Sequence, residues 1–153
     1  NIFWSEDFDI AVMMVDKTIK GYREAADEFT SLPTLLKDEN HSDGSEDMQF
    51  VKQLYRKTLV NNKELNNVVS ERASNWDLER IAIMDTILIK MAITELIEFP
   101  SIPIKVTLNE YIELSKEYSS PKSKVFINGV LDKLIIDYKE QGIIRKAGRG
   151  LME

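Results

Sequence analysis

The segment Tyr118-Ser119-Ser120-Pro121-Lys122-Ser123-Lys124-Val125-Phe126 sets two aromatic rings and two ammonium groups around three hydroxyls. Lysines neutralise phosphates and aromatic faces stack on unpaired bases, so this composition suits single-stranded nucleic acid. The plainer reading keeps Tyr118 and Phe126 in a core and leaves the lysines solvated. Glu110, Glu113 and Glu117 form a second group, at helical spacings of three and four. Carboxylates so placed line metal sites in helical bundles, but such sites also use Glu-x-x-His pairs, which are missing here. A solvated helix face is the simpler account. Asp85 and Lys90 interrupt an otherwise apolar run. They mark either the one wet edge of that helix or a polar strip facing a partner, with Asp85 as the partner-binding candidate.

Other chemistries find few residues to work with. The chain has no cysteine, which removes disulfides, thiolate metal sites and thiol nucleophiles. Its single histidine, His41, lies in a polar stretch, so a Ser-His-Asp arrangement would have to use it. The phosphate-cradling, dinucleotide-binding and zinc-binding motifs are all missing. The expectation is a protein that is not an enzyme and holds neither metal nor cofactor.

The elements that must position these residues follow from periodicity. At 153 residues, 43% hydrophobic and 30% charged, the chain can bury one core. No apolar run reaches the 18 or so residues of a membrane span, so no membrane role is expected. Phe8, Ala11, Val12, Val15, Ile19 and Tyr22 predict a helix over 7–29, with Ser5, Glu6 and Asp7 at its start. Pro33, Gly44 and the polar residues of 31–45 read as a linker. A second helix is expected over 46–71, interrupted near Asn61-Asn62. The segments 5–20 and 45–60 align with each other, as a duplication or as two independent helices with similar caps. Ser74-Asn75-Trp76-Asp77 offers N-caps for a third helix over 77–98, apolar on nearly every side and so central to a bundle. Trp4 and Trp76 are expected as packing anchors beside helix starts. Pro100 and Pro103 end the third helix. Thr107-Leu108-Asn109-Glu110 has the form of a capping box and predicts a helix over 105–118. A last helix over 122–140 closes at Gly142, followed by a basic tail expected to be mobile. Nothing alternates as a strand would, so the class is all-α.

Asn128-Gly129 is the odd pair. Asn-Gly is a strong hairpin signal, yet it sits inside the helical spacing of Phe126, Val130 and Leu134. The expectation is that Gly129 admits a neighbouring helix where a Cβ would collide, and that Asn128 bonds a neighbouring backbone carbonyl or Asn109.

Charge is uneven. Residues 1–50 hold 4 Lys/Arg against 12 Asp/Glu, whereas 51–153 are slightly basic within a net charge of −6. That asymmetry keeps a nucleic-acid partner open for the C-terminal part.

The run from Ile102 to Leu134 resembles the C-terminal half of the NusB family of bacterial transcription antitermination factors. The matching positions are Asn109-Glu110, Glu113-Leu114, Lys116 and Phe126-Ile127-Asn128-Gly129-Val130-Leu131-Asp132. Residues 75–96 resemble the family's helix that carries an arginine where Lys90 stands, and Phe50 to Arg72 resemble the helix before it. The arginine-rich opening and the Leu-Tyr ending of the family's first helix are not present. Residues 1–45 resemble instead a helical insertion of long Bacteroidetes-type homologues, which implies the C-terminal portion of such a protein.

The resemblance implies an all-α fold of packed three-helix bundles, with an extra helix and linker over 1–45, a NusB-like domain over 46–141 and a tail over 142–153. It implies a cytoplasmic protein that pairs with the small-subunit ribosomal protein NusE, binds single-stranded boxA RNA of ribosomal transcripts and joins an RNA polymerase antitermination complex. Carried over by position, the RNA-binding candidates are Lys90, Tyr118, Lys122, Ser123, Lys124 and Phe126. Asn109, Glu110, Asn128 and Gly129 would be structural. Two alternatives stay open: an accessory domain of a ribosomal RNA cytosine methyltransferase, and a protein-interaction bundle with no RNA role.

Overall fold

The computed structural model describes residues 8–23, 26–27, 30, 46–73 and 81–152. It divides into two compact units, residues 1–51 and 52–153. In the first, α1 (Phe8–Gly21) carries an Asp16–Lys20 ion pair at 2.8 Å. Phe8, Val12, Val15 and Ile19 form the expected stripe, and each is more than half exposed. The helix stops at Gly21 rather than running to residue 29, since glycine is a poor helix former and Tyr22 closes a turn onto the Ile19 carbonyl. Trp4, Ser5, His41, Pro33, Gly44 and Ser74 to Glu79 lie outside the described residues.

The second unit contains most of α2 (Glu46–Val60), then α3 (Asn62–Arg72), α4 (Ile83–Glu98), α5 (Ile104–Tyr118), α6 (Ser123–Glu140) and a 3-10 turn (Gly148–Leu151). Among the described residues every regular element is helical. The break between α2 and α3 falls at Asn61, close to where the asparagine pair predicts it. α4 begins at Ile83, after extended Ala82; the start expected at Asp77 lies outside the described residues. It packs against α3, α5 and α6, and is the axis of the unit.

Residues Leu88, Ile89, Ala92, Ile93 and Leu96 of α4 meet Leu65 and Val69 of α3 and Phe126, Ile127, Val130, Leu131 and Leu134 of α6 in one core. Ile89, Ile93 and Leu96 are fully buried, and burying each side chain contributes roughly 1.5–3 kcal/mol. The all-round apolar character of α4 has two causes. Its later turns are enclosed, whereas Ile83, Met84 and Ile87 in its first turns remain exposed. Two ion pairs lie over the core, Lys57 to Glu98 between α2 and α4 and Arg72 to Asp137 between α3 and α6. Both are partly exposed, so each contributes at most about 1 kcal/mol.

Three expectations are corrected here. The capping box does not cap: α5 starts one turn earlier, with Pro103 as its N-cap, and Thr107 is buried inside the helix. Pro103 has no N–H to leave unpaired and its fixed φ suits a helix entrance. Asn109 and Glu110 consequently lie on the exposed face of α5. Gly129 is not a close-approach site. Among the described residues, nothing beyond its own stretch of helix backbone lies within 4 Å of the place its Cβ would take, and the Asn128 amide donates to the Asp132 carboxylate at 2.6 Å on the surface. The basic tail is folded onto the unit as a strap. α6 ends in a Schellman motif, with Gly142 at φ +67° and the Ile143 N–H donating to the Tyr138 carbonyl at 2.9 Å. Ile144 is then buried, the Ala147 N–H bonds the Pro100 carbonyl at 2.9 Å, and Gly150 lies against Pro100.

Candidate nucleic-acid interface

The loop between α5 and α6 is short and tightly held. The Ser119 N–H bonds back to Ser115 at 3.1 Å and ends α5. The Ser123 N–H donates to the Ser120 carbonyl at 2.9 Å, and the Ser120 N–H donates to the Ser123 hydroxyl at 3.1 Å. This reciprocal turn, with Pro121 inside it, launches α6. Beneath the turn lies Asp85, which is 4% exposed. One carboxylate oxygen accepts from the Ser119 hydroxyl and the other accepts from Ser123 at 2.8 Å. The two serines bring two hydroxyl donors from an otherwise exposed loop to one buried acid, and hydrogen bonds to a charged acceptor are among the stronger ones.

This arrangement corrects the reading of Asp85. It is neither a wet edge nor a partner-facing residue, because its carboxylate faces inwards and is occupied by the loop. Lys90 lies five residues further on, about 140° around the helix axis. It donates to the Asn62 side chain at 2.9 Å at the start of α3, away from the loop serines. Ser123 is 1% exposed and serves the clasp rather than a ligand. Phe126 is 4% exposed and belongs to the core, so its ring offers no face to a base.

Tyr118, Lys122 and Lys124 remain on the surface. Tyr118 is half exposed, and Lys122 and Lys124 are exposed on either side of the clasped Ser123. Exposed Val125 adjoins them. A ring and two cations are thus held at the rim of a loop whose underside is fixed. That fits a single-stranded polyanion, which needs point charges for phosphates and a flat face for a base.

Three polar groups that sequence reasoning passed over, Glu95, Tyr111 and Lys146, meet at the opposite end of α4. Glu95 is 6% exposed and accepts a hydrogen bond from Tyr111 at 3.0 Å. Burial pushes its carboxyl above the usual range, against hydrogen bonds from Thr107 and Tyr111 and the attraction of Lys146. Burial, and then the Glu95 charge, push the Tyr111 phenol up. Lys146 donates to the Phe99 carbonyl at 3.0 Å, and burial lowers its pKa while Glu95 opposes that. The signal available in the sequence was an acid inside an apolar helix, the same signal that marked Asp85. Among the described residues, no group of three His, Cys, Asp or Glu side chains is placed to hold a metal ion, and no helix is long and apolar enough to cross a membrane.

The NusB family model matches residues 9–135. The transcription antitermination protein NusB of Salinibacter ruber is 43% identical over 103 residues, 67% of this chain and 64% of that protein. Its namesake in Chloroherpeton thalassium is 36% identical, over 68% of this chain and 49% of that protein. That of Geobacter sulfurreducens is 32% identical, over 77% and 86%. The chain thus spans less than two thirds of the length of the first two relatives. Among solved structures, T. maritima NusB (P3121, form 2) superposes with a TM-score of 0.56 at 26% identity, covering 63% of this chain and 69% of that one.

Proposed function

Because the chain belongs to the NusB family, we propose that it is the RNA-binding, helical part of a cytoplasmic transcription antitermination factor. It pairs with the ribosomal protein NusE and binds single-stranded boxA RNA, within an RNA polymerase antitermination complex. Its role is recognition rather than catalysis. The observation that carries this reading is the exposed rim of Tyr118, Lys122 and Lys124, held from below by the Asp85 clasp. A preorganised rim costs little ordering entropy when RNA binds. Lys122 and Lys124 lie at phosphates and Tyr118 stacks on a base. The acidic N-terminal third adds no attraction for RNA, so the isolated chain binds weakly and NusE completes the surface.

The test is a titration of labelled boxA RNA at two salt concentrations with NusE present, comparing wild type with Lys122→Ala/Lys124→Ala and Tyr118→Ala. Each lost phosphate contact lowers the salt slope by about 0.7 for a single strand. Loss of one stacked base weakens binding by about 1–3 kcal/mol. Equal affinities and slopes for all three proteins would remove the loop from the RNA interface. Binding to NusE with no measurable RNA affinity would instead favour a protein-interaction bundle.

A further inference from the structure

A cleft of about 430 Å³ opens where Ile104 and Lys105 at the start of α5, Lys139 near the end of α6 and the C-terminal strap meet. Its walls combine four aliphatic side chains, Ile104, Ile144, Leu151 and Met152, with Lys105, Lys139 and Lys146. Among the described residues no carboxylate lines it. Apolar walls with a few converging polar groups are the usual make-up of a small-molecule site, and this volume lies in the usual range.

The sign of the charge narrows the ligand. Lys146 is already engaged, since it donates to the Phe99 carbonyl and is attracted by Glu95. Lys105 and Lys139 pair with no carboxylate among the described residues, so they are the available cations. The first turn of α5 carries no acidic residue, so the positive end of its dipole adds to the same potential. The apolar walls narrow it further. Leu151 and Met152 are 68% and 63% exposed, which leaves aliphatic surface for a ligand to cover. Inorganic phosphate, or a phosphate of RNA, would answer the ammonium groups and leave those walls wet. A neutral hydrocarbon would cover the walls and leave the ammonium groups unanswered.

We propose that this cleft binds an aliphatic anion, an alkyl or acyl chain ending in a phosphate or carboxylate. The head lies between Lys105 and Lys139, and the chain runs along Ile144, Leu151 and Met152. Neither the RNA rim nor the family role requires this site, and it stands whether or not the RNA reading does.

The probe is decyl phosphate, kept below its micelle-forming concentration and titrated into the full chain while the Met152 methyl signal is followed by NMR. Decanol and inorganic phosphate are titrated in parallel. Decyl phosphate is expected to shift the Met152 signal saturably, with both controls at least tenfold weaker. Lys105→Gln/Lys139→Gln should weaken decyl phosphate at least tenfold at an unchanged melting temperature, and Leu151→Ser should weaken it through the wall instead of the head. Inorganic phosphate binding as tightly as decyl phosphate would overturn the proposal and leave a simple anion patch. Equal affinity in wild type and both variants would overturn it as non-specific adsorption. A Met152 shift produced by a single-stranded oligonucleotide but not by decyl phosphate would overturn it in favour of a second RNA contact.

Discussion

Gly129 occupies the middle of an α-helix with open space where a Cβ would be. It keeps the cost of glycine and gains no close contact from the described residues. Gly129→Ala is therefore expected to raise stability by up to about 1 kcal/mol through helix propensity alone, read as a higher denaturant midpoint at unchanged slope. A loss of stability would mean that the glycine serves a contact within the fold after all. Asp85 is the opposite case, a charged side chain whose buried position depends on two serine hydroxyls. Asp85→Ala leaves those hydroxyls without their acceptor, and the expected loss is about 1–3 kcal/mol. The variant should also weaken boxA binding with NusE present, because the rim residues lose their fixed underside. An unchanged melt would show that water replaces the carboxylate freely.

The C-terminal strap is the element whose behaviour departs most from its composition. A run with Arg145, Lys146, Gly148 and Arg149 reads as solvated chain, yet Ile144 and Gly150 are buried. Gly150 is the contact that demands a missing side chain: a Cβ there would stand 1.9 Å from the Pro100 carbonyl oxygen, a backbone atom that cannot swing aside. Gly150→Ala should push the strap away and break the Ala147 bond to Pro100. Hydrogen exchange at the Ala147 amide should accelerate, at a cost of about 1–3 kcal/mol. Gly148, with open space around its Cβ position but φ +55°, gives a comparison in which strain acts without a clash. Unchanged protection at Ala147 in Gly150→Ala would mean that the strap is not seated on Pro100 in solution.

At the scale of the molecule, Glu95 joins three parts of the second unit. It lies on α4, accepts from Tyr111 of α5 and attracts Lys146 of the strap. Its carboxyl is raised by burial in the folded state, so the folded chain binds that proton more readily than the unfolded one. The stabilising contribution of this proton is complete below the unfolded value of 4.5 and is lost as pH rises through the folded value. Glu95→Gln removes the titration while keeping an acceptor for Tyr111. Melts across the range from pH 4.5 upwards should therefore show wild type losing stability relative to Glu95→Gln as pH rises. Parallel curves would show that Glu95 titrates as it does in the unfolded chain.

Periodicity carried much of this fold before any coordinates. The 3.6-residue spacing of apolar side chains set out α3 and α6, and turn-forming residues marked the break at Asn61 and the stop at Gly142, because amphipathic helices and left-handed caps are written in consecutive residues. The motifs around Asn109-Glu110 and Phe126 to Asp132 carried the family. Individual roles were a different matter. Ser123 and Lys122 are neighbours of similar polarity, but a single step of about 100° around the helix places one against Asp85 and the other in solvent. Thr107 read as a cap and lies inside a helix, since Pro103 started that helix a turn earlier. The tail read as free chain, because its attachments to Phe99 and Pro100 span more than 40 residues of sequence. Local sequence determined which segments are helical. Only tertiary packing decided which polar side chains face inwards, because burial depends on partners that are distant along the chain.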